Sequence, residues 1–398
     1  MTFDRPAQPG REITLRLVYS ADRPGGGGSG LTWSRDDTRT PEFDPMFHAQ
    51  GQPQNNHLWF PCHDFPNDRV TSESVITVPA PYEAVSNGVL VSVSSNPNAS
   101  VPSPANPPKP PRDDAANSDP APVLVGATEV NVTGTTTYHW RQDKPHASYL
   151  ITLVVGRFDK IDLSGPGTPL PNLPMPVYGA IGSGEGAREI FGHTPAGGQQ
   201  FAHLFDYADP WGEYAQIMCR NFSAGAMENT SASTFNASLV RGRRGSQDDI
   251  IAHELVHQWF GDLVGYSSWE HLWLGEGWAT LGEALWAEHK RGEDGYQEAI
   301  LQNFGSERAI SGRRYWPRNP PMVSNRYRNP NARFISGDNV YQKGGAVLHM
   351  LRMRLGERDF WAGVRLYLKR HAFEQVETDH FRLCMEEVTG QSLERFFD

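Results

Sequence analysis

Cysteine is scarce in this sequence, with only Cys62, Cys219 and Cys384 among 398 residues. Odd in number and far apart, they make neither a disulfide framework nor a Cys-x-x-Cys metal site, so reduced thiols in a cytoplasmic setting are expected. Positive charge is also in short supply. The 36 Lys and Arg face 46 Asp and Glu, a formal net charge of −10, which excludes a general nucleic-acid binder that would need a basic surface. The one basic cluster, Arg241-Gly242-Arg243-Arg244, is short and glycine-interrupted and reads as a solvated loop. No apolar run approaches the ~18 residues of a membrane span. Met1 to Arg11 carry no apolar stretch resembling a secretory signal. Large apolar side chains are nearly missing from residues 95–122, which hold nine prolines. Such a segment buries too little surface to offset its ordering entropy and reads as a mobile insertion between strands.

What remains is ordinary globular sequence, 38% hydrophobic and 21% charged. The length exceeds what one core usually organises, so two domains are expected. Residues 1–158 read as β-structure. Ile13, Leu15, Leu17 and Tyr19 alternate with polar residues, and β-branched runs follow at Val75–Val78 and Val89–Val91. Thr135–Trp140 and Tyr149–Val155 give a further pair of strands. Gly25–Gly28 is a flexible turn. From Gln199 onward the apolar spacing is mostly three and four, which predicts helices around 247–260, 274–291, 340–355 and 358–371. Residues 159–398 therefore form a second, helix-rich unit, and the chemistry lies there.

The decisive segment is His253-Glu254-Leu255-Val256-His257. On a helix, residues four apart stack on one side, so both imidazoles can reach one zinc ion. Glu254 follows the first ligand and is aimed at an activated water as general base. Two histidines leave a catalytic zinc one protein ligand short. Eighteen residues separate Glu276 from His257, enough for a helix end, a reversal and the start of a second helix packed on the first. Two histidines, a glutamate and an open fourth position make a catalytic set for one Zn²⁺ per chain.

With these residues in view, the chain resembles the aminopeptidase N family of gluzincins, which also contains leukotriene hydrolase. Gly225-Ala226-Met227-Glu228-Asn229 is similar to the exopeptidase motif of that family, and Gln258–Val264 and Val340–Gly345 also look like family sequence. The resemblance implies an α+β, multidomain architecture, an antiparallel β-domain followed by a thermolysin-like, mostly helical catalytic domain. It implies that Tyr341 is the catalytic tyrosine, that Glu228 holds the free amine of a peptide, and that Gly225 and Ala226 align its backbone. Trp59–Asp64 matches a β-domain stretch that borders the active site. Gln52 falls where relatives place a side chain that helps hold the amine, with Gln50 as its competitor. The implied activity is removal of residues from the free amino end of peptides, with no nucleic-acid or membrane partner and an oligomeric state left open. Three rival readings stay open: a hydrolase of lipid epoxides, an endopeptidase that would not need Glu228, and a non-enzymatic scaffold. Thr230, Gly275 and Gln342 stand where many relatives carry tryptophan, asparagine and glutamate, which bears on side-chain preference. The first strands of the family's β-domain and the helical domain that follows the catalytic one have no counterpart here, so the chain reads as a truncated or minimal member.

Overall fold

The computed structural model describes residues 10, 12–19, 30–34, 45–100, 133–239, 247–304, 321–327, 329–331 and 340–398. The Gly25–Gly28 turn, the Arg241–Arg244 run and the proline-rich segment from residue 101 onward lie outside them.

The N-terminal part is two antiparallel sheets. The first joins β1 (Gly30–Ser34), β2 (Met46–Gln50), β4 (Glu83–Ser86) and β7 (Leu153–Gly156) in the order β1-β2-β7-β4. The second sets β6 (Thr133–Ala147) between β3 (Arg69–Pro79) and β5 (Val89–Ser100). Three sequence expectations change here. Residues 12–19 form no strand among the described residues, and Ile13, Leu15, Leu17 and Tyr19 are all exposed. Alternation sets a strand's two faces, but only a neighbour satisfies its backbone. The insertion also starts later than its composition implies. Residues 95–100 complete β5 on the edge of the sheet, where backbone pairing to Thr133, Thr135 and Thr136 asks little of the side chains, and the register breaks between Asn96 and Ser100, around Pro97. Finally, Tyr149 and Leu150 lie in a 3₁₀ turn (Ser148–Leu150), and the strand begins only at Leu153.

A mixed sheet opens the second part, with β8 (Phe158–Asp162), β9 (Pro176–Ala180), β10 (Ala215–Cys219), β11 (Ala226–Met227) and β12 (Ala232–Asn236) in the order β11-β12-β10-β9-β8. β9, β10 and β12 are parallel, and the edge strands β8 and β11 run antiparallel to them. Helix α1 (Gly184–Phe191) packs against this sheet, α3 (Asp248–His257) lies against its β11 edge, and α2 (Thr194–Phe205) and α4 (Trp273–Phe304), the last broken at Gly292, pack against α3. Then come α5 (Gln342–Leu355), α6 (Glu357–Arg370) and α7 (Thr378–Thr389). This is the expected α+β arrangement.

Helix α3 is the pivot of the fold. Its Ile251, Ala252, Leu255 and Val256 are all buried, so it lies inside the domain rather than presenting one face to solvent. The aromatic cluster beneath it stacks Phe260 on Trp278 at 4.2 Å and sets Phe205 edge-on to both. Such side chains each contribute roughly 1.5–3 kcal/mol by leaving water. No helix among the described residues is long and apolar enough to cross a membrane.

Candidate active site

Helix periodicity and one reversal bring the metal donors together. His253 and His257 lie one turn apart on α3, their rings 4.9 Å apart. The chain turns back through Gly261–Val264 and a 3₁₀ turn at Trp269–His271 before α4 starts. Glu276 in the first turn of α4 then faces both rings, with Oε2 3.4 Å from His253 Nε2 and 3.3 Å from His257 Nε2. The three donor atoms lie within 4.8 Å of one another and form a cluster able to hold a metal ion.

Both imidazoles are held in the tautomer that metal binding requires. His253 Nδ1 donates to Glu283 Oε1 at 2.9 Å, and His257 Nδ1 donates to the Phe260 carbonyl at 3.0 Å. Each Nε2 is thereby left facing Glu276, and the bonds at Nδ1 are the ordinary outer support of a metal-bound histidine. Glu283 is itself fixed by Asn303 Nδ2 at 3.0 Å. The sequence reading missed it, although its seven-residue spacing from Glu276 signals the same face of α4 two turns on.

Burial and charge set the protonation of this cluster. Burial alone would keep Glu276 protonated, but the flanking imidazoles hold it down at about 2. Burial opposes charge on His257 too, yet Glu228 and Glu276 raise it to about 9. Without a metal these carboxylates call for cations, and a dication supplies them once the imidazoles give up their protons. Glu254 is buried with Oε2 lacking any hydrogen-bond partner among the described residues, and burial lifts its carboxyl to about 8. An orphaned carboxylate oxygen beside a metal-donor triad fits a group that works on a water molecule.

The other predicted residues divide into two sets. A cleft of about 650 Å³ is lined by the triad and Glu254, and also by Gln50, Gln52, Gly225, Ala226, Glu228 and Tyr341. Met227 and Asn229 are not among the residues that line it. Along β11 and its extension, alternate residues face opposite ways. Met227 therefore turns back to receive Gln50 Nε2 on its sulfur at 3.4 Å, and Asn229 is fully buried, donating to Thr234 Oγ1 at 3.1 Å. Within the Trp59–Asp64 stretch, Trp59–His63 line a separate cavity of about 480 Å³.

Glu228 is buried in the wall of the cleft. Its Oε1 accepts from Gln52 Nε2 at 2.8 Å, so of the two competing glutamines Gln52 is the one that reaches it. Gln258, directly after the second histidine, donates to the Glu228 carbonyl at 3.2 Å and accepts from the Ser231 amide at 2.9 Å. This clamp ties the strand to the end of α3 and also escaped the sequence reading. Burial raises the Glu228 carboxyl, with His257 pulling the other way.

Tyr341 stands immediately before α5, its ring parallel to that of His253 with centroids 6.1 Å apart. Gly277 and Gly344 bring it there. A Cβ on Gly277 would sit 2.8 Å from the Gly344 carbonyl carbon, so only two glycines let α5 come this close to α4. Gly275, where relatives carry asparagine, is also forced. The Tyr266 hydroxyl fills its side-chain position, 1.7 Å from where a Cβ would be.

With this geometry in place, the sequence profile of the Peptidase family M1 domain matches residues 194–398. The chain belongs to peptidase family M1. Among M1 relatives it is 30% identical to aminopeptidase N of Streptomyces lividans over 260 residues, 62% of this chain and 30% of that protein. It is 26% identical to glutamyl aminopeptidase of Bitis rhinoceros over 365 residues, 87% of this chain and 33% of that protein. The chain thus spans about a third of the length of the curated relatives it matches. A solved M1 zinc metallopeptidase from Deinococcus radiodurans shares the fold, with a TM-score of 0.66 at 23% identity, covering 88% of this chain and 68% of that one.

Proposed function

We propose that this chain is a zinc-dependent aminopeptidase of family M1, cleaving the first peptide bond of peptides with a free amino terminus. The observation that carries the reading is the Gln52–Glu228 pair lining the same cleft as the His253, His257 and Glu276 cluster. A buried carboxylate in the wall of that cleft suits a protonated amine.

In this reading His253 Nε2, His257 Nε2 and the Glu276 carboxylate would hold Zn²⁺, which would supply a Lewis acid for the hydrolysis. Glu254 accepts a proton from the attacking water and returns it to the departing amine, a role suited to a carboxyl that burial has moved towards neutrality. Tyr341 donates its hydroxyl proton in a hydrogen bond to the developing oxyanion. Its own acidity is suppressed by burial and the nearby Glu276 and Glu228 carboxylates, so it remains a donor at neutral pH. Glu228 and Gln52 hold the ammonium, and the backbone of Gly225 and Ala226 receives the peptide as an added strand. Residues 1–158 serve as the β-domain that carries Gln52, and residues 159–398 as the catalytic domain. The three unpaired cysteines favour a reducing compartment, the cytoplasm.

Mass spectrometry of a digested peptide and its N-acetylated twin tests the reading. Stepwise loss from the amino end of the free peptide alone is expected, because an amide cannot replace the charge-assisted contact. Equal internal cuts in both would refute it.

A further inference from the structure

The cleft has a direction that two elements mark together. At one end Glu228 lies by the C-terminal end of α3, its carbonyl accepting from Nε2 of Gln258, the residue after His257, at 3.2 Å. Going back along α3, His253 comes one turn earlier and Asp249 one turn before that, each step about 6 Å along the axis. The strand side keeps the same order. Gly225 lies against Ile250, whose Cδ1 is 3.0 Å from the position of a glycine Cβ, while Glu228 is bonded through its carbonyl to Gln258 at the other end of the helix. A peptide anchored by its amine at Glu228 therefore runs past the metal donors towards Asp249, where the cleft meets a side pocket of about 340 Å³ that shares Asp249 and Glu283.

The charges at that open end are unequal in their commitments. Glu283 is engaged by His253 and Asn303. Asp248 is engaged by His193 and Lys290, and Arg291 by Glu298. Asp249 is exposed and has no ion-pair partner among the described residues. None of the described residues lining the main cleft is a lysine or arginine. At the first turn of α3 both aspartates complement the helix dipole, but that role leaves the Asp249 carboxylate free to face an incoming chain.

Resting on the aminopeptidase reading, we infer that Asp249 is a specificity-determining residue on the leaving-group side, favouring peptides with a cationic side chain at the second or third position. An extended peptide advances about 3.3 Å per residue. From the level of the two histidines to that of Asp249 is roughly 9 Å along the helix, which reaches the third residue and leaves the long side chain of a lysine at the second within range. Opposite charges at an exposed rim give modest gains, and a like charge costs a similar amount, so the contrast between lysine and glutamate is what reveals the site.

The test uses the zinc-loaded full chain and free-amine tetrapeptides that differ only in carrying Lys, Gln or Glu at the second or the third position. At low salt, kcat/KM should be about tenfold higher for Lys than for Glu at one of these positions. Asp249→Asn should bring that ratio below about threefold, and Asp249→Lys should reverse it. Raising the salt to about 0.5 M should compress the wild-type ratio without any substitution. A wild-type enzyme indifferent to this charge, or a ratio that survives Asp249→Asn, overturns the inference. The Gln peptides separate the two levels of the argument. Their stepwise cleavage with no Lys-to-Glu contrast removes only the role of Asp249, whereas failure to cleave them removes the aminopeptidase reading and this inference with it.

Discussion

The two walls of the cleft are built by opposite means. The helical wall is set by local repetition and apolar packing. His253 and His257 are related by one helical turn, and the aromatic stack of Phe260 on Trp278 keeps α4 against α3. The sheet wall is held by buried polar contacts between distant segments. Gln52 reaches Glu228, Asn87 donates to the Leu150 and Thr230 carbonyls at 2.9 and 2.7 Å, and Ser231 Oγ accepts from the Gly88 amide at 2.7 Å. The Arg69 guanidinium crosses from β3 to the Asp262 and Glu374 carbonyls. A packed helix pair fixes its donors relative to one another. A polar seam fixes one wall relative to the other, so the chemistry depends on the first and the reading of the substrate on the second.

The largest effects should come from breaking the helical wall at its centre. Glu276→Ala should lose zinc and activity together, while Glu254→Gln should keep zinc and lose turnover by about 10³-fold or more. Elemental analysis beside steady-state rates separates the two, and full zinc in Glu276→Ala would remove it from the ligand set. Tyr341→Phe should retain metal and KM but lower kcat about 10²–10³-fold, the scale of one lost oxyanion donor. An unchanged kcat would reduce Tyr341 to packing.

The sheet wall should reveal itself in stability rather than in chemistry. His146 on β6 donates from Nδ1 to the Lys144 carbonyl and accepts at Nε2 from Ser72. Burial pushes it down to about 4 from an ordinary 6.5, with the Arg69 charge assisting. The folded chain thus resists a proton that the unfolded chain takes up near pH 6.5. Its contribution is complete above pH 6.5 and is lost as pH falls towards 4, about 3 kcal/mol at the limit. Denaturant titrations at pH 7 and 4.5 should show a smaller acid loss in His146→Gln than in the parent, and identical losses would count against it. The smallest effect expected is that of Asn87→Ala, which strands two buried carbonyls at a cost of about 1–3 kcal/mol. It should raise KM for free-amine peptides more than it lowers kcat, since Thr230 is two residues from Glu228. Equal changes in both would mean that the seam also positions the chemistry.

The metal cluster was legible because its rule is local. A spacing of four on a helix means one face, and eighteen residues suffice for one reversal. Glu283 obeys the same rule, two turns after Glu276 on the same face of α4. Met227 and Asn229 share a five-residue motif with Glu228, but strand alternation turns their side chains to Gln50 and Thr234. Alternation alone failed at Ile13–Tyr19, where no neighbouring strand takes up the backbone.

The sequence by itself determined which residues gather as metal donors, that Glu254 stands beside them, and that the part carrying them is mostly helical. These follow from residue type and from periodicity within single elements. Only the tertiary structure brought Gln52 into hydrogen-bond reach of Glu228, brought Tyr341 to His253 through the meeting of Gly277 with Gly344, and set Glu228 and Asp249 along one cleft. Those relations join segments far apart in the chain, and their distances are fixed by how helices and sheets pack, which no local spacing encodes.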